Sequence, residues 1–184
     1  MEFQILDFIQ EHIRCGFLDA ILPWITYLGS SYVILVIAIA LIAIKKTRKI
    51  GIESMVSLLI MLIVLNLILK NLVARDRPCW SNDTIDMLVK VPKDYSFPSG
   101  HSALAAIMAT IVTANNKKAG IPVIILALTV MFSRLYLYVH FPTDVLAGAL
   151  IGFAIAFSVL LAERKIANKE NNIDGNQHTT ASRR

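Results

Sequence analysis

What most constrains this chain is where its charges are missing. Runs such as 51–73, 119–139 and 143–162 are mostly Leu, Ile, Val, Ala and Met, and short clusters such as Lys45-Lys46 and Asn115-Asn116-Lys117-Lys118 separate them. A transmembrane α-helix needs about 20 mostly apolar residues. Of the 184 residues, 56% are apolar and 17% charged, with a mean hydropathy of +0.63, against roughly 45–50% and 25% in soluble domains. The chain therefore reads as all-α: a polytopic membrane helical bundle of about five transmembrane helices with an N-terminal interfacial helix. The net charge of +5 belongs to the loops of such a protein, and no nucleic-acid partner is expected.

Residues 3–14, with Ile5, Ile9 and Ile13 four apart among acidic residues, read as a helix lying along the membrane surface. The charges at Glu2, Asp7, Glu11 and Arg14 do not suit the apolar core of a cleavable signal. Segment 17–44 is interrupted at Pro23 and at Gly29-Ser30-Ser31, so it is expected to give a short interfacial piece and a first span over about 30–44. Further spans are expected over 51–73, 99–114, 119–139 and 143–162, with a polar loop at 74–97. Residues 1–166 form one membrane-embedded domain on this reading, and 167–184 a disordered polar tail. Eleven Lys and Arg fall on one side of this arrangement and five on the other. The basic side is expected to be cytoplasmic, with the C-terminus, which turns the 74–97 loop outward.

A charge near the bilayer centre costs roughly 2.5–3.5 kcal/mol. Lys70, Arg77, His101, Arg134, His140 and Asp144 all fall at the outward ends of the expected spans. Taken singly, each could snorkel to the interface; together, three cations at one level call for a shared anion. Pro98-Ser99-Gly100-His101 opens a helix whose free N–H groups and positive dipole end suit phosphate. Gly100 admits a close backbone approach, and arginine donates to phosphoryl oxygens in forks. His140 and Asp144 lie four apart, so a carboxylate can fix one imidazole nitrogen and free the other to attack. His101 is then available as proton donor. With no carboxylate cluster in view, no metal and no cofactor are expected.

Three segments carry a resemblance: Lys70-x6-Arg77-Pro78, Pro98-Ser99-Gly100-His101, and Ser133-Arg134-x5-His140-x3-Asp144. In order and spacing they resemble the signature motifs of the type 2 phosphatidic-acid phosphatase superfamily, in its bacterial membrane members, over about residues 60–150. The resemblance implies His140 as nucleophile forming a phosphohistidine, Asp144 orienting it and His101 protonating the leaving group. Lys70, Arg77, Ser99, Gly100 and Arg134 would bind the phosphoryl oxygens. The composition does not suit the soluble haloperoxidases that share this constellation. Many bacterial members have six spans against five expected here, and Asp76 lies beside Arg77 where it could weaken the cationic site. The implied substrate is a lipid phosphate in the bilayer, with undecaprenyl diphosphate favoured over phosphatidylglycerol phosphate and phosphatidic acid. Gly100 stands where one undecaprenyl-dedicated subgroup often has Asp. The rival class, an anion transporter or channel subunit, would place charge along a path through the membrane. Here the inner halves of the spans are apolar apart from Glu53.

Of the remaining polar positions, Asn66 is expected to make an interhelical hydrogen bond, and Gly148 with Gly152 a close helix contact. Trp80, Tyr95, Phe97, Tyr136 and Tyr138 are expected mostly in an interfacial belt. Cys15 and Cys79 are expected to be ordinary small residues.

Overall fold

The computed structural model describes residues 1–82 and 84–181, with side chains up to residue 169. The described residues are helical and connected by loops. Helix α1 (Glu2–Phe8) continues as a π-helical stretch (Ile9–Ile13), and is followed by α2 (Gly16–Leu28) and α3 (Ser31–Ala43). Helix α4 (Arg48–Met61) passes through a second π-helical stretch (Leu62–Leu69) into a last turn, Lys70–Val73. A single turn, α5 (Pro78–Ser81), interrupts the loop that leads to α6 (Gly100–Asn115), α7 (Lys117–Tyr136) and α8 (Pro142–Ala181).

Three segments are long and apolar enough to cross a membrane, Arg48–Ser81, Lys117–Tyr136 and Pro142–Lys169; α2 and α3, bent by 54°, make a fourth if they count as one span. Helix α6 is the third expected span and the one left over. Its 16 residues reach about 24 Å, short of the ~30 Å hydrocarbon thickness. The bend between α2 and α3 falls at Gly29-Ser30, where the Ser30 hydroxyl caps α3 by accepting from Val33 N at 3.4 Å. Pro23 lies inside α2 without ending it. Helix α8 runs on to Ala181, through most of the segment expected to be disordered; residues 182–184 lie outside those described.

The bundle is apolar outside as well as inside. Leu67, Leu72, Ile121, Ile125, Leu128, Leu146 and Leu150 are each more than 60% exposed or close to it, as befits a surface whose solvent is hydrocarbon. Helix α6 lies at the centre, packed against α4, α7 and α8. Leu104, Ile107 and Ile111 meet Leu58, Met61 and Leu65 of the α4 rod and Ala156 of α8. The close approach of α6 and α8 depends on two glycines. A Cβ at Gly148 would fall on the Ser99 carbonyl oxygen, and one at Gly152 on that of Ala103. This is the small-residue contact the sequence suggests.

The N-terminal helix packs differently from the expected stripe. Leu6 and Ile9 are buried while Ile5 and Ile13 are exposed, and the buried pair meets Tyr138 and Phe141 in the connection between α7 and α8. Phe3 stands edge-on to Phe141 at 5.1 Å, and Gln10 donates to Tyr136 O at 2.7 Å. Tyr136 and Tyr138 are therefore core residues rather than belt aromatics, 1% and 0% exposed. Trp80 and Tyr95 are at the edge of exposure. Both cysteines are free thiols.

Candidate active site

The site is assembled from five chain regions at one end of the bundle. Lys70 ends the α4 rod, Arg77 follows in the loop, and Gly100 and His101 open α6. Arg134 lies near the end of α7, and His140 lies just before α8. Six of these side chains and backbones, Lys70, Arg77, Gly100, His101, Arg134 and His140, line one cavity of about 180 Å³. The two imidazoles thus face one space, with three cations around it.

The connection that carries His140 is held under strain. Tyr138 sits at φ 57°, a left-handed conformation that costs a non-glycine residue of order 1–3 kcal/mol. Its ring is fully buried, and its hydroxyl donates to Asp7 Oδ1 at 2.6 Å. Burial, reinforced by the Asp7 carboxylate, pushes the Tyr138 hydroxyl up to about 12. Arg77 Nη1 donates to Val139 O at 2.8 Å and stands 3.2 Å from His140 Nε2. Burial, then the charges of Arg134, Arg77 and Lys70, keep the imidazole of His140 well below its usual pKa.

Asp144 lies behind His140, fully buried. Its Oδ2 accepts from Phe141 N at 2.8 Å and from the Ser96 hydroxyl at 2.5 Å, and lies 3.6 Å from His140 Nδ1. Its Oδ1 accepts from Arg75 Nη1 at 2.7 Å. Arg75 in turn pairs with Glu2 at 2.5 Å and lies 4.0 Å above the Phe141 ring. Burial alone would raise the Glu2 carboxyl, but hydrogen bonds from Thr143 and Arg75 outweigh it and hold the group down.

The cations are not equally paired. The Asp94 carboxylate bridges two of them, with Oδ2 on Lys70 and Oδ1 accepting from Arg77 Nη2 at 3.0 Å. Burial acts to raise Asp94, and these two partners overcome it to keep the carboxyl below its ordinary value. Arg134 donates from Nη1 to Thr26 Oγ1 at 2.7 Å. It is 5% exposed, has no carboxylate within 4.0 Å among the described residues, and its Nε finds no hydrogen-bond partner there.

The structure thus brings Lys70, Arg77, Gly100, His101, Arg134 and His140 to the cavity, with Asp144 one step behind. Ser99 does not line it. The Ser99 hydroxyl accepts from Ser102 N and Ser102 Oγ at 3.4 and 3.0 Å, capping α6, and its N–H donates to Asp144 O at 3.0 Å. Asn66 is exposed and lines the cavity. Asp76, flagged as a neighbour of Arg77, is not the carboxylate on that guanidinium; Asp94 is. Motif spacing gave no sign of Asp94, Ser96, Arg75 or Thr26, because each acts across the fold from outside the motifs.

Residues 52–167 match the PAP2 superfamily. The chain belongs to the PAP2 superfamily. It is 37% identical over 141 residues to undecaprenyl-diphosphatase of Sulfolobus acidocaldarius, covering 76% of this chain and 68% of that protein. It is 30% identical over 145 residues to undecaprenyl-diphosphatase of Bacillus subtilis, covering 76% and 72%. The crystal structure of a transmembrane PAP2-type phosphatidylglycerolphosphate phosphatase from Bacillus subtilis superposes with a TM-score of 0.68 at 27% identity, over 89% of this chain and 92% of that one. As a PAP2 protein with helices fit for membrane spans, the chain is a multi-pass membrane lipid phosphate hydrolase.

Proposed function

We propose that this PAP2 protein dephosphorylates undecaprenyl diphosphate to undecaprenyl phosphate at the outer face of the membrane, through a phosphohistidine on His140. The observation that carries the reading is His140, its Nε2 3.2 Å from Arg77 Nη1, lining a cavity that also holds Arg134, a buried guanidinium with no carboxylate beside it among the described residues. A buried charge without a partner is costly, and a phosphoryl group supplies one. Lys70, Arg77 and Arg134 bind the phosphoryl oxygens, the Gly100 backbone at the α6 start adds N–H donors, and Ser99 holds that start in place. The cations stabilise the charge of the transition state.

His140 Nε2 attacks the terminal phosphorus, the bond to the bridging oxygen breaks, and His101 protonates that oxygen as the lipid phosphate leaves. Water then attacks the phosphohistidine and gives a proton back to His101, the bond from Nε2 to phosphorus breaks, and inorganic phosphate leaves with both imidazoles restored. The balance of basic residues supports an outward-facing site and a cytoplasmic C-terminus. The undecaprenyl-diphosphatase relatives favour the diphosphate. The phosphatidylglycerolphosphate phosphatase neighbour supports a second reading, the same chemistry on a monophosphate lipid.

Purified protein in detergent, offered undecaprenyl diphosphate, phosphatidylglycerol phosphate and phosphatidic acid side by side, is expected to release phosphate fastest from the first. Activity is expected to survive a chelator, since side chains supply the positive charge; a strict divalent-metal requirement would count against the mechanism. Vanadate, which copies the five-coordinate transition state, is expected to inhibit at concentrations well below the substrate KM.

A further inference from the structure

Orientation of the nucleophile is usually assigned to direct contact between a carboxylate and an imidazole. Here that contact is missing. His140 Nδ1 and Asp144 Oδ2 are 3.6 Å apart, beyond hydrogen-bond length. Beside the pair, within reach of both, is the Ser96 hydroxyl, 2.5 Å from Oδ2 and 3.3 Å from Nδ1. Ser96 and Asp144 are fully buried and His140 is 2% exposed. We propose that Ser96 is a positioning residue that transmits the orientation of Asp144 to the His140 nucleophile. The proposal rests on the phosphohistidine reading above.

Donor and acceptor bookkeeping fixes the direction of the chain. An ionised carboxylate only accepts, so the Ser96 proton goes to Oδ2. The hydroxyl then offers the ring only a lone pair, and Nδ1 must donate to it. From the other side, the Arg77 guanidinium can only donate, so Nε2, 3.2 Å away, must accept. Both constraints select the same tautomer, with hydrogen on Nδ1 and the lone pair on Nε2. The carboxylate cannot slide over to close the gap. Arg75 and Phe141 N hold its two oxygens, and Ser96 is itself anchored by its N–H on Arg75 O at 2.8 Å. As Nε2 bonds to phosphorus the ring gains positive charge, and the hydroxyl passes the field of Asp144 to it with no proton leaving Nδ1.

The experiment compares wild type, Ser96→Ala, Ser96→Thr and His140→Ala in detergent, by steady-state release and by the burst of labelled phosphoenzyme from [³²P]undecaprenyl diphosphate and [³²P]phosphatidic acid. In Ser96→Ala, kcat is expected to fall by about 10²-fold with KM within about twofold, and Ser96→Thr, which keeps the hydroxyl, is expected to recover most of it. In ¹⁵N-histidine spectra the wild type is expected to show His140 as the Nδ1–H tautomer, and Ser96→Ala a mixture. A kcat within about twofold of wild type in Ser96→Ala would overturn the proposal. So would a loss of melting temperature with kcat per folded molecule retained, or an Nε2–H tautomer in the wild type, which needs no variant to fold. Absence of any phosphoenzyme in the wild type on either lipid is a separate result, and sinks the phosphohistidine reading itself.

Discussion

Replacing His140 by alanine is expected to lower phosphate release by at least ~10⁴-fold while the protein still inserts and packs. That factor corresponds to about 5.5 kcal/mol of transition-state stabilisation. The size follows from what remains. The variant keeps Lys70, Arg77 and Arg134, the proposed phosphate ligands, but lacks the imidazole proposed to form the covalent intermediate. Structurally the loss is modest. The ring is buried, yet Arg77 keeps four other acceptors, Asp94 O and Oδ1, Tyr95 O and Val139 O. Melting temperature in detergent is therefore expected to shift by only a few degrees. No labelled phosphoenzyme should be trapped by acid quench, whereas wild type should yield one. Turnover in the variant at a tenth of the wild-type rate would falsify the assignment of the nucleophile.

The second large effect is expected far from any reacting atom. At Gly148 a side chain would meet the carbonyl oxygen of Ser99 head-on, so Gly148→Val must push the start of α6 away from α8. That boundary is crossed by the bond from Ser99 N to Asp144 O, and it carries Gly100 and His101 on one side and Asp144 on the other. Overpacking of this kind costs about 1–3 kcal/mol, and a displacement of about 1 Å in a catalytic constellation can cost about 10²-fold in rate. Gly148→Val is expected to show both: faster thermal inactivation and a kcat reduced by about that factor. Gly16 offers the control. A Cβ there meets nothing within 4 Å, so Gly16→Ala is expected to match wild type in rate and in inactivation half-life. Equal behaviour of the two variants would mean that the α6–α8 contact does not set the geometry of the site.

The bundle was legible because lipid imposes a crude rule on sequence: apolar runs of one length, charges at the ends. The same rule brought Lys70, Arg77, His101, Arg134 and His140 to one depth, and the structure gathers them around one cavity. What escaped lies where no period operates. Loop 74–97 has neither helical nor strand repetition, so nothing in it marks Asp94 as the carboxylate on Lys70 and Arg77, or Arg75 and Ser96 as partners of Asp144. The fate of Tyr138 was hidden for another reason. Aromatic residues near a span end normally sit in the interface, and only the tertiary fit of α1 over the α7–α8 connection buries this one in a left-handed conformation. In α1 itself the four-residue spacing of isoleucines pointed to Ile5, Ile9 and Ile13, whereas Leu6 and Ile9 face the core.

The dependence of the α6 start on the α8 start carries a consequence for biosynthesis. A nascent chain that has threaded its first helices into the bilayer already owns every side chain that can hold an anion up to Arg134, but neither the attacking ring nor the peptide oxygen that tethers Ser99. Those come with His140 and Asp144, at the entry to α8. On the proposed mechanism, until the ribosome has delivered α8 and the translocon has released it against its short central neighbour, the growing polypeptide lacks a working site. Partly made copies should therefore leave the phosphate esters of the surrounding leaflet untouched.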